Sequence, residues 1–200
     1  MNFVCVGVVS ELMWLKVTLR HQRVSSMKND VIVKVANFVW FQTIWWLVIL
    51  FQNQAVLAVV GLLLLWLWFS RERQNDLKLM ASMLVIGTLI DSALTVSGVF
   101  IFTEAQANIP VLPIPFWLSL LWAGFAGTVY HSLTVFEGRP LLAALGGAIF
   151  APLSYIAGAN FGAVELGFSI PITFVLIGIV WSIAFPFCFY LSTVFVSSDT

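Results

Sequence analysis

Apolar residues run almost unbroken through this 200-residue chain, at about 35–51, 54–69, 79–102, 116–136, 141–163 and 170–195. Polar breaks separate them: Gln52-Asn53-Gln54, Ser70 to Lys78, Thr103 to Pro115, Glu137-Gly138-Arg139-Pro140, and a weak one from Glu165 to Ser169. About 20 helical residues at 1.5 Å each cross a hydrocarbon core of about 30 Å. The pattern therefore predicts six transmembrane helices, the second short and the fifth rich in glycine. A β-barrel would show alternating segments of about ten residues instead. The expected fold class is all-α, a polytopic membrane helix bundle.

Composition agrees. Hydrophobic residues make up 61% of the chain and charged ones 9%, against roughly 25% charged in soluble domains. Mean hydropathy is +1.03. Nine basic and nine acidic residues cancel, too few to cover a water-facing surface. A nucleic-acid-binding domain is excluded, since it needs a concentrated basic face. Cys5 and Cys188 form neither a disulfide framework nor a zinc motif.

Charge placement orients the spans. Lys16, Arg20, Arg23, Lys28 and Lys34 precede the first; Arg71, Arg73 and Lys78 lie between the second and third; Arg139 lies between the fourth and fifth. Cytoplasmic loops collect Lys and Arg, so six spans with both termini cytoplasmic account for all nine. Residues 27–200 then form one six-helix domain. Residues 1–26 form an N-terminal extension with two open readings. Met1 to Leu19 is apolar but carries Glu11 and Lys16, which makes a weak seventh span and a poor signal peptide. The favoured reading is an upstream start, with Met27-Lys28-Asn29-Asp30 as the true beginning.

Four stretches carry a family resemblance: "NFVWFQTIWW" at 37–46, "GTLIDSALTVSGVF" at 87–100, "FWLSLLWAGFAGTVYHSL" at 116–133 and "GAIFAPLSYIAGANFGA" at 147–163. On these the chain resembles the bacterial integral membrane proteins grouped as domain of unknown function 2878. The last stretch is the most specific, joining Pro152-Leu153-Ser154-Tyr155 to Gly158 and Gly162. The resemblance implies a multi-pass protein of the bacterial inner membrane and no assigned activity. It also implies a position often basic where Asn160 stands here, which argues against anion binding at that point.

The chemistry to be explained is polar and lies inside the spans. Asp91 falls about 18 Å into the third, near mid-bilayer. A central Asp costs about 2.5–3.5 kcal/mol on insertion scales, so it faces the bundle interior or a wet cavity. Thr88, Asp91, Ser92 and Thr95 share its face. At its depth lie Ser154 and Tyr155, Trp181 and the small Gly124. Pro152 and Pro186 free the carbonyls of Ala148 and Ser182 in this layer, and a proton on Asp91 or the Tyr155 hydroxyl would serve as donor. His131 sits nearer the cytoplasmic edge, about 10 Å from Asp91 in depth, too far for direct contact. Its expected company is Gln42, with Thr88 and Thr128 slightly deeper. Blander readings stand beside these. Asp91 ties helices together, His131 reaches interfacial water, and Ser154, Thr88 and Thr128 pack helices. Gly158 and Gly162, spaced as GxxxG, permit close helix contact. Trp45, Trp46, Trp66, Trp68, Trp117 and Trp122 form interface belts or lipid-facing bulk.

No phosphate loop, zinc-protease motif or haem signature is present, and two histidines cannot make a three-histidine zinc site. No cofactor or metal is expected. The loop Glu104 to Pro115, with Pro110, Pro113 and Pro115, reads as an interfacial lid. Three functions remain. The first is a protein that binds or modifies a lipid or other apolar small molecule, with Asp91 as general acid or base and Tyr155 or Ser154 orienting the substrate. The second is a small proton-coupled carrier working through Asp91. The third is a structural or assembly subunit docking by its glycine faces to a partner or a second copy. The expected surroundings are the lipid bilayer, with no nucleic acid.

Overall fold

The computed structural model describes residues 30–104, 106 and 111–197. The N-terminal extension, Cys5 and the centre of the 104–115 loop lie outside the described residues. Almost everything else is helix. Four helical stretches are long and apolar enough to cross a membrane: Asp30–Phe69, Arg73–Val96, Pro140–Asn160 and Ile170–Val196.

The first stretch is a hairpin. Helix α1 (residues 30–51) runs into a 3-10 turn at Gln52–Ala55 and then α2 (Val56–Phe69). In one straight helix Trp40 and Trp66 would lie about 39 Å apart; here their rings stack at 5.0 Å. The Trp40 indole N–H also donates to the Leu62 carbonyl at 3.0 Å. The reversal sits on Gln52, at φ 48°, a left-handed conformation costing a side chain about 1–2 kcal/mol. The Gln52 carboxamide offsets this by donating to the Gly162 carbonyl at 3.2 Å and accepting from Gln106 at 3.1 Å. The polar break read at 52–54 is thus a turn tied to two other turns at the same end of the bundle.

Helix α3 (Arg73–Val96) starts six residues earlier than the apolar run suggests. Arg73 begins it by donating back to the last carbonyls of α2, Leu67 at 3.0 Å and Trp68 at 2.8 Å. At its far end the apolar run outlasts the helix. Gly98 turns the chain at φ 79°, and β1 (Phe100–Ile101) pairs antiparallel with β2 (Glu165–Leu166).

The expected fourth span is broken. Helix α4 (Phe116–Ala126) is 11 residues, about 16 Å, and continues as turns before a 3-10 turn at Thr134–Phe136. Backbone released in an apolar interior needs partners, and Asn37 of α1, fully buried, supplies them. Its amide donates to the Gly127 carbonyl at 2.9 Å, and its oxygen accepts from the Ser132 N–H at 3.1 Å and hydroxyl at 2.6 Å.

Helix α5 (Pro140–Asn160) and helix α6 (Ile170–Ser197) pack against each other at glycine. A Cβ on Gly147 would sit 2.3 Å from the Trp181 carbonyl oxygen, and one on Gly178 3.0 Å from that of Ala148. Of the GxxxG pair, Gly158 lies close to Ile49, but Gly162 is a turn residue at φ 75° with open space beside it. The close helix contact comes from Gly147 and Gly178 instead.

Gly147→Ala should therefore destabilise the protein by about 1–3 kcal/mol through overpacking. Gly61→Ala, with nothing within 4 Å, should be neutral or slightly stabilising. Thermal unfolding in detergent compares the two, and equal midpoints would contradict the close α5–α6 contact.

Candidate functional site

Asp91 is fully buried on α3. Tyr155 of α5 donates its hydroxyl to Oδ1 at 2.8 Å, and the Trp122 indole of α4 donates to Oδ2 at 2.6 Å. Two neutral donors thus hold the carboxyl and join three helices through it. Each donor is fixed in turn by stacking. Trp122 lies on Trp181 of α6, centroids 4.4 Å apart, and Tyr155 lies on Phe100, 4.8 Å apart. Glycine makes room for this: a Cβ on Gly87 would fall 2.0 Å from the Trp122 ring. The spacing argument brought Asp91, Tyr155 and Trp181 to one depth, and the structure assembles them. Trp122, read as belt or lipid-facing bulk, is instead 2% exposed and a direct partner of Asp91. Trp117 is buried too, whereas Trp68 is 70% exposed as a belt residue would be.

Beside this cluster lies a cavity of about 420 Å³, lined by α1, α4, α5 and α6. Tyr155, Trp122 and Trp181 form part of its wall, but Asp91 does not line it. The carboxyl stands behind the wall and sets the orientation of Tyr155 and Trp122. Ser154 lines the cavity and accepts from the Trp45 indole of α1 at 2.8 Å. Gln42 and Thr128 are also on the wall. Thr128, just past the end of α4, donates its hydroxyl to the Phe125 carbonyl of that helix. Exposed Phe38 and Phe150, on α1 and α5, mark the rim.

His131 makes no contact with Asp91, in keeping with the depth argument, yet its expected layer with Gln42 does not form. Its Nε2 lies 2.9 Å from Oδ2 of Asp76, with the Trp66 ring edge-on at 5.0 Å. Asp76 lies within the polar break from Ser70 to Lys78. It is fully buried in the first turn of α3, where the Ser70 hydroxyl also donates to it. Because α3 starts early, a residue in the polar break is carried inside. Thr88 turns to Ser119 of α4, hydroxyl to hydroxyl at 2.8 Å. Asn160 is exposed at the end of α5 and takes no part in these clusters. Asn37 and Asp76 were missed as partners. The signal for Asp76 was present in Ser70 and Arg73, which mark a helix start a turn before the apolar run.

Among the described residues no group of three or more His, Cys, Asp or Glu side chains is arranged to hold a metal. Apolar helices enclosing a buried polar cluster and an apolar cavity define a helical protein of membrane type. The chain matches the family described as protein of unknown function (DUF2878) over residues 34–187, and it belongs to that family. No curated protein and no solved structure matches it.

The Asp76–His131 contact should be energetically real. A double-mutant cycle of Asp76→Ala and His131→Ala, read by thermal unfolding, should give a coupling of about 1–3 kcal/mol. Additive effects would show that the two side chains are merely adjacent.

Proposed function

We propose that this protein binds an apolar small molecule, with a lipid as the class at hand, in the cavity between α1 and α5. One observation carries the reading: about 420 Å³ of space walled by aromatic and aliphatic side chains with a few hydroxyl and amide groups. Small-molecule sites of about 300–1,000 Å³ have this character, apolar with a few placed polar groups. Modification of the ligand would run through the wall hydroxyls of Tyr155 and Ser154, with Asp91 holding Tyr155 from behind.

The same reading takes the bundle as six crossings of a bacterial inner membrane with both ends cytoplasmic. The α1–α2 hairpin supplies two crossings, and α4 with its irregular continuation supplies another. Lys34, Arg71, Arg73 and Arg139 all belong to the end of the bundle where α1 and α5 begin and α2 gives way to α3. The turns at the opposite end, around 52–54 and 161–169, have no basic residue. Cytoplasmic loops show this asymmetry.

Ala151 faces the cavity, and Ala151→Phe should fill it without breaking a helix. Organic extracts of protein purified in detergent, analysed by mass spectrometry, should contain an apolar compound in near-equal molar amount for wild type. The variant should hold roughly tenfold less, the equivalent of about 1.4 kcal/mol. Equal recovery from both proteins, or none from wild type, would refute the reading.

A further inference from the structure

The cavity has an ordered profile along its length. Helices α1 and α5 run side by side in fixed register: the Trp45 indole meets Ser154, Gly158 lies against Ile49, and Gln52 reaches Gly162. Phe38 to Ile49 on one wall and Gly146 to Gly158 on the other each span about 16–18 Å. By the same register Gln42 lies about 4.5 Å from the Trp45–Ser154 level. Polar functions with hydrogen-bonding capacity to spare therefore gather near the middle of the slot, among them the buried Trp181 indole N–H, unpartnered among the described residues. The Ser154 hydroxyl accepts from Trp45, and its own proton has no acceptor among the described residues. The Tyr155 oxygen keeps lone pairs after donating to Asp91. The Gln42 carboxamide makes no hydrogen bond to the described residues, and it offers both donors and an acceptor.

The two ends differ from this waist. Toward the basic end of the bundle the walls are Phe38, Phe136, Phe150 and Phe185; toward the other they are Ile49, Phe102, Val164 and Trp117, whose indole N–H is a lone donor at that end among the described residues. Thr128 and Ser132 also lie toward the basic end, but their hydroxyl protons are already given to Phe125 and Asn37. No Lys, Arg, His, Asp or Glu lines the cavity. A charged group moved into such surroundings would lose its hydration with no counter-ion to replace it.

Resting on the binding role proposed above, we infer that the occupant is a single uncharged hydrocarbon chain with its oxygen function in the interior of the chain, not at its end. A ketone, an ester or a secondary alcohol meets this description. Its oxygen accepts from Ser154 and Gln42, and its two apolar arms fill the two aromatic ends. A terminal carboxylate or phosphate would meet no cation on the lining, and a terminal oxygen of any kind would leave the waist unmatched.

The probes are two isomeric straight-chain ketones of equal length, one with its carbonyl at mid-chain and one with it beside a terminal methyl. Delipidated protein in detergent is mixed with an equimolar pair, repurified, and its extract analysed by gas chromatography and mass spectrometry. The mid-chain isomer should be retained roughly tenfold over the other, the worth of one well-placed hydrogen bond. Ser154→Ala and Gln42→Leu, checked for folding by thermal unfolding, should each bring the ratio toward unity. Equal retention by wild type, or a preference untouched in both folded variants, would overturn the inference while leaving the binding role intact. Retention of neither isomer above a protein-free micelle control would overturn both.

Discussion

Three helices meet at the carboxyl of Asp91, and much of the bundle follows from the need to satisfy it. An acid in hydrocarbon is tolerated only when donors surround it. Here α4 contributes an indole and α5 a phenol. Meeting that demand fixes the roll of α4 about its axis, requires glycine at position 87 beneath the Trp122 ring, and stacks Trp122 on Trp181. Through that stack α6 is drawn in as well. The wall of the cavity is the outer surface of this arrangement. Asp91 thus shapes the cavity without lining it.

A second obligation runs through the backbone. Helix α4 ends early, and its released groups are taken up by the buried side chain of Asn37. At the opposite end, Gln106 donates to Gln52 and to the Ala163 carbonyl, while Asn53 donates to the Gln106 carbonyl. Amide side chains therefore help knit both ends, alongside the Asp76–His131 pair at the basic end. That is economical in a chain with so few charges, because a neutral amide loses far less on leaving water than an ion does.

The helical, membrane-type character was legible in the sequence because most of the apolar runs are long, and length is what a bilayer demands. The meeting of Asp91 with Tyr155 was legible because depth follows from counting residues along a helix of fixed rise. What could not be read depends on rotation and on ends. Whether Trp122 faces lipid or the interior is a matter of roll, and tryptophan is apolar enough to serve either way. Asp76 fell in a polar break because α3 begins on polar residues, with Ser70 and Arg73 tying its start to the end of α2, and hydropathy does not register such a start. The break in α4 was hidden because no charged residue or proline interrupts Gly127 to Phe136, where the α-helix gives way to turns and a 3-10 turn. Two-residue strands at 100–101 and 165–166 carry no periodicity from which to infer them.

The spacing of Asp91's partners along the chain also sets an order in time. Trp122 follows it by 31 residues and Tyr155 by 64. At roughly 5–20 residues per second of synthesis, the phenol is made about 3–13 s after the acid it holds. On the six-crossing reading, α3 stands in the bilayer through that interval with its carboxyl incompletely matched. Helix α5, among the last to be made, completes a site begun in the middle of the chain.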